Sequence, residues 1–309
     1  MSDLVIVFAG SPAAAVPSLQ ALTASRHEVA AVLTRDDSPQ GRRRQLTPTA
    51  VASAAAELGL PIIRVNRLAG PATAEVTAIR PDLGVIVAYG GLVREPLLSV
   101  PRLGWINLHF SLLPRWRGAA PVQRAIIAGD EVTGASVFQL VPELDAGDVF
   151  GQFTQAIGAH ETAGHLLDSL AVSGAELLVR VVDAIADGIA RAEPQVGDVT
   201  LAPKLELADA RLDFAEHAST VFDRLRGVTP EPGAFTQVDD VRVKILEAAI
   251  VRDQPSLAPG QLELRDGRVL VGSASDPLEL VSVHPAGKKP MKAADWWRGR
   301  PAGSGTVAR

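Results

Sequence analysis

The chain has 309 residues and no cysteine, is 47% hydrophobic and 21% charged, and carries a formal net charge of −5. The length predicts two domains. The lack of cysteine excludes a disulfide framework, a thiolate zinc site and a cysteine nucleophile, and no segment approaches the ~20 apolar residues of a membrane span. The opening MSDLVIVFAG has no basic n-region and reads as a first β-strand rather than a signal peptide, so a cytoplasmic chain with no membrane partner is expected.

Leu4–Ala9 is a continuous apolar run ending at Gly10-Ser11-Pro12. Val16–Ala24 then reads as a helix and Glu28–Leu33 as a second short apolar strand, the opening of a parallel α/β sheet. Pro48–Leu58 is Ala-rich and helical, with a short strand after it near Pro61–Val65. Asp82–Ala88 and Trp105–His109 are further strands, Gly134–Val141 alternates like a half-buried one, and His165–Ile185 is a long amphipathic helix. This alternation predicts a doubly wound, mostly parallel Rossmann-like sheet with ligands at the carboxyl ends of its strands.

Residues 191–208 lose that regularity and read as a linker. Beyond it the grammar changes. Val221–Arg226 is a short helix, and short strands at Gly233–Val238, Arg242–Ala249, Gly260–Arg265, Arg268–Val271 and Leu278–Val283 are separated by turn dipeptides. Such spacing predicts a smaller β-barrel of the oligonucleotide-binding (OB-like) type, followed by a Gly/Ala/Ser tail. The expected division is therefore 1–190 catalytic, 191–208 linker and 209–309 β-barrel.

Asn107 and His109 are two apart at the end of a strand, so both side chains share a face. Asp145 lies in a loop directly after the Gly134–Val141 strand, which is expected to end at the same sheet edge. An amide, an imidazole and a carboxylate suit transfer at a carbonyl carbon. The amide stabilises an oxyanion, the imidazole moves a proton, and the carboxylate orients the imidazole and raises its pKa. The spacing alone favours a turn cap, a core histidine and a turn aspartate. FAGSP lacks a full dinucleotide fingerprint, so no nicotinamide site is expected. His160, His165 and His217 have no companions at metal-ligand spacing, so no metal is expected. The net charge argues weakly against a nucleic-acid partner. Local clusters argue the other way: Arg42, Arg43 and Arg44 are consecutive, and six basic residues follow His284 against the one acid, Asp295.

Residues 107–121, NLHFSLLPRWRGAAP, resemble the signature of the folate-dependent formyltransferases: Asn-x-His-x-Ser-Leu-Leu-Pro, then Arg-Gly and a proline. TGASVFQLVPELDAGDV resembles that family's Thr-Gly block and its Leu-Asp-x-Gly-Asp segment. VFAGSPAAAVPSLQAL, DDSPQGRRRQLTP, APKLELADARLDF and HPAGKKPM are similar to the branch that formylates initiator tRNA. Thr229-Pro230-Glu231-Pro232 departs from the branch's Asn-Pro-Trp-Pro.

The resemblance implies transfer of a formyl group from 10-formyltetrahydrofolate to the α-amino group of methionine on initiator tRNA, supporting translation initiation. It implies that Asn107, His109 and Asp145 are catalytic and that Ser111, Leu112, Leu113 and Pro114 line the folate pocket. It also implies that Arg42, Arg43 and Arg44 contact tRNA, and that the enzyme is a monomer needing no metal. The alternatives are formylation of another amine, such as a sugar nucleotide, and a catalytically silent RNA- or folate-binding protein.

Overall fold

The computed structural model describes residues 3–40, 44–68, 70–301 and 306–309, so Arg42 and Arg43 lie outside the described residues. The chain divides into two compact units. The first holds residues 1–121, 132–156 and 167–202; the second holds 122–131, 157–166 and 203–309.

The sheet of the first unit is built from β1 (Val5–Gly10), β2 (Glu28–Thr34), β3 (Ile62–Arg64), β4 (Leu83–Val87), β5 (Trp105–His109), β6 (Val132–Gln139) and β7 (Val149–Ala156). Their order is β7-β6-β5-β4-β1-β2-β3. The pairs β1–β2, β2–β3, β1–β4 and β4–β5 are parallel, whereas β5–β6 and β6–β7 are antiparallel. The central parallel strands are continuous apolar runs buried on both faces, and all five residues of β4 are buried; the edge strand β3 is only half-buried to exposed. The chain winds from β1 outward to β3, then returns to the other side of β1 as β4. The carboxyl ends of β1 and β4 therefore form the switch point where an open α/β sheet leaves a crevice.

Two short strands, Ser38–Gln40 and Gln45–Thr47, pair antiparallel between β2 and the helix Ala50–Glu57. Thr49 caps that helix, its hydroxyl accepting the Ala52 N–H at 3.0 Å. Arg44 is exposed.

The stretch expected to be a linker is divided differently. Residues 191–202 belong to the first unit, where Glu193 bridges Val149 and Leu201–Ala202 pair in parallel with Arg117–Gly118. Residues 203–208 belong to the second unit. The irregular stretch carries one isolated bridge and one two-residue parallel pairing.

The second unit holds β8 (Phe235–Val238), β9 (Val241–Ile250), β10 (Leu262–Arg265), β11 (Arg268–Val271), β12 (Leu278–Pro285) and β13 (Met291–Lys292). They form an antiparallel sheet ordered β8-β9-β12-β11-β10, with β13 on β12. The two edges are joined by the last four residues. The Leu262 N–H donates to the Thr306 carbonyl at 2.6 Å, and the Ala308 N–H to Gly260 at 2.7 Å. Gln237 and Arg309 exchange both backbone bonds at 2.9 Å. Part of the presumed tail thus stitches first strand to last and protects both edges. Deleting residues 302–309 should remove these four bonds, each contributing about 1 kcal/mol net, and lower the melting temperature by roughly 10 °C. Calorimetry showing an unchanged transition would refute this stitching role.

Candidate active site

Strand β5 brings Asn107 and His109 to the switch point. Both line a cavity of about 520 Å³, together with Pro12 after β1, Ile86 and Ala88 at the end of β4, and Leu144 and Asp145. Asn107 is half-buried, and no described residue hydrogen-bonds its amide. Its donors are therefore available to a ligand in the cavity.

His109 is 6% exposed and sits edge-on to Phe138, with ring centroids 6.4 Å apart. Its Nε2 lies 2.8 Å from the Trp116 carbonyl, which can only accept. The neutral ring therefore carries its proton on Nε2 and turns the Nδ1 lone pair toward Asp145 Oδ2, 3.9 Å away. Burial pushes the imidazole below its ordinary value of 6.5; the Asp145 charge and the Trp116 carbonyl pull the other way and do not prevail. The carboxylate does raise this pKa as expected, but desolvation outweighs it. His109 is neutral, and able to accept a proton, at pH 7.

Asp145 reaches the imidazole by a route other than the expected one. Because β6 is antiparallel to β5, its end at Gln139 pairs with Ile106, and its start-side residue Ser136 pairs with His109. The strand leaves the sheet at the far end of β5, and residues 140–148 must double back to deliver Asp145. Two features hold this return. Asp145 Oδ2 accepts the Gly118 N–H at 2.8 Å. Gly147 packs so tightly that an added Cβ would lie 1.8 Å from the Gln139 carbonyl, so the glycine of LDAGD is required by space.

The Gln195 amide donates to the carbonyls of Asp145 and Gly147, both at 2.8 Å, and its oxygen accepts Arg117 Nε and an Arg117 terminal nitrogen at 3.1 and 2.6 Å. Nothing in the sequence singles out Gln195, a lone amide in an irregular stretch.

The residues expected to line the folate pocket form the turn that follows β5. Ser111, Leu113 and Pro114 are buried and Leu112 is half-buried; none borders the cavity. The Ser111 hydroxyl donates to the Arg115 carbonyl at 2.6 Å, and Ser136 donates to the Ser111 carbonyl at 2.6 Å. Gln152 donates to the Leu113 carbonyl at 3.1 Å. The turn is strapped to β6 and β7 and shapes the path from His109 to Trp116.

The cavity wall comes from residues 88–92. Tyr89 is buried, its hydroxyl donating to the Val65 carbonyl at 2.6 Å. Ser11 donates to the Tyr89 carbonyl at 3.2 Å, and the Arg35 guanidinium reaches the Gly90 carbonyl. The Tyr89-Gly90-Gly91 run directly after a buried strand was the available signal for this wall.

A formyl transferase model matches residues 3–182, and a formyl transferase C-terminal domain model matches residues 204–301. The chain belongs to the formyl transferase family. It is 64% identical over 294 residues to the methionyl-tRNA formyltransferase of Clavibacter sepedonicus, covering 95% of this chain and 96% of that one. A Helicobacter canadensis N-formyltransferase, solved with folinic acid and dTDP-3-aminofucose, superposes with a TM-score of 0.68 at 14% identity, over 89% of this chain and 98% of that one. HypX from Aquifex aeolicus in complex with tetrahydrofolic acid gives 0.63 at 20% identity, over 96% of this chain and 47% of that one. These last two likenesses concern the fold. The family's formyl donor is a formyl-tetrahydrofolate. The cavity suits such a molecule, with apolar wall at Ile86, Leu92 and Leu144 for a flat ring system and a free amide beside it.

Proposed function

We propose that this member of the family carries the formyl group of 10-formyltetrahydrofolate to the α-amino group of methionine on initiator tRNA, a cytoplasmic step in starting translation. The observation that carries the reading is the convergence of the Asn107 amide, the His109 Nδ1 and the Asp145 carboxylate in one cavity. The 64% identical relative bears the corresponding name.

In this reading Asn107 donates to the formyl oxygen and strengthens that bond as the neutral amine attacks the carbon and the oxygen becomes an anion. His109 takes the proton that the nitrogen must lose once its lone pair forms the new C–N bond. Asp145 stabilises the imidazolium so formed. As the carbonyl re-forms, the bond to the folate nitrogen breaks, and His109 returns the proton to that nitrogen. The products are N-formylmethionyl-tRNA and tetrahydrofolate, with the imidazole neutral again.

The acceptor is tested by offering the chain charged initiator tRNA and, separately, a dTDP-amino sugar, each with 10-formyltetrahydrofolate. Product on the tRNA alone is expected; product on the sugar alone would replace this reading with that of a sugar formyltransferase.

Arg42, Arg43 and Arg44 are assigned to the acceptor stem. Three adjacent guanidiniums need solvent or an anion, and in the sequence they fall between Ser38–Gln40 and Gln45–Thr47, after β2, a strand parallel to β1. Replacing all three by alanine should weaken use of charged tRNA strongly and flatten the salt dependence of its binding, because fewer counterions are released. Folate affinity should be unchanged. Undiminished tRNA binding across a salt series would make the cluster an ordinary solvated surface.

A further inference from the structure

We infer that Gln195 is a positioning residue for this transfer, holding the Asp145 carboxylate against His109 through the backbone of the loop that carries it. The inference rests on the catalytic reading of His109 and Asp145 given above.

Asp145 has φ +45°, in the left-handed region that a residue with a Cβ disfavours. Such a conformation persists only when its surroundings over-determine it. Here one side chain grips the carbonyls on both sides of Ala146, and every polar group of the Gln195 amide is engaged: two donors to Asp145 and Gly147, the acceptor to the Arg117 fork. Gln195 cannot rotate to satisfy one partner without releasing another.

The same segment also sets the other side of the imidazole. Trp116, whose carbonyl receives His109 Nε2, donates its own N–H to the Thr200 hydroxyl at 2.8 Å. Arg117, which orients Gln195, donates its backbone N–H to the Thr200 carbonyl at 2.9 Å. Residues 195–200 therefore fix both polar partners of His109 from outside the cavity. Gln195 does not border that cavity, so it acts on the reaction through the partners of His109, and its two bonds to the loop backbone make Asp145 the main one.

Gln195→Leu in the full chain keeps the side chain's bulk and removes all four bonds. Released, the loop lets the carboxylate withdraw from the imidazole. The expected result is a fall in kcat of about 10- to 100-fold, within the range for losing an oriented acid–base group, with KM for folate and for tRNA within about twofold of wild type. Asp145 is the charged side chain that the His109 ring meets among the described residues, beside the Trp116 carbonyl and the Phe138 ring. The His109 titration followed by NMR should therefore move to lower pH. In an Asp145→Asn background, Gln195→Leu should cost less than about a further twofold, because the two act as one unit.

An unchanged kcat, an unmoved His109 titration, or the same fold-loss in both backgrounds would overturn the assignment. If Gln195→Leu does not fold, Arg117→Met removes the fork that orients the amide and is read the same way, with a loss of about fivefold expected. Should wild type fail to formylate charged tRNA, the functional reading falls, and the His109 titration alone decides whether Gln195 holds the carboxylate.

Discussion

Asp145→Asn is expected to lower kcat for formyl transfer by about 10²-fold or more, while folate and tRNA affinities stay close to wild type. The replacement keeps the shape and an oxygen for the Gly118 N–H. It removes the negative charge 3.9 Å from Nδ1. That charge is what favours the protonated imidazole, against a burial that disfavours it. Without it His109 becomes a weaker base just where it must take a proton from the attacking amine. The pH dependence follows with a definite sign. His109 is active when neutral, and burial holds its pKa below the ordinary imidazole value, so once the titration of the attacking amine is divided out, the His109 limb of the wild-type profile should lie on the acid side of the ordinary imidazole range. In Asp145→Asn this acid limb should move further to the acid side while the plateau drops. A plateau at the wild-type level would remove Asp145 from the mechanism.

Asn107→Leu should cost about 10²- to 10³-fold in kcat, the scale for deleting one oxyanion donor. The two side chains are similar in size, and the wild-type amide bonds to no described residue. Stability should therefore be unchanged, or slightly raised by the added apolar surface. A collapse in kcat with an intact melting transition separates a catalytic amide from one that caps a turn; a fall in both would favour the cap.

The parts of this site legible in the sequence were those carried by local periodicity. Asn107 and His109 share a face because β5 has period two, and the apolar runs marked the parallel strands. What failed depended on direction or on long-range pairing. Alternation in Gly134–Val141 signals a strand but not its sense, and the antiparallel sense of β6 reverses which end of the sheet it leaves from. Apolar residues in the Ser111–Pro114 turn read equally as pocket wall or as packing. Ser136 and Gln152, 25 and 39 residues away, hold the turn's carbonyls, a pairing that no local pattern shows. The pull of Asp145 on His109 could be foreseen, but the burial that outweighs it could not be read from spacing. The strap at Gln195 and the closure at Thr306–Arg309 rest on backbone carbonyls, which every residue carries and no motif marks.

The central claim is direct transfer between two bound substrates by Asn107, His109 and Asp145. It is tested most directly by a rapid-quench single turnover, with 10-formyltetrahydrofolate labelled at the formyl carbon and methionyl initiator tRNA in the presence of excess protein. The account predicts one labelled formyl on the methionine nitrogen for each tetrahydrofolate released, with no label on the protein at any time. Label trapped on the protein, or tetrahydrofolate released without formylated tRNA, would contradict it.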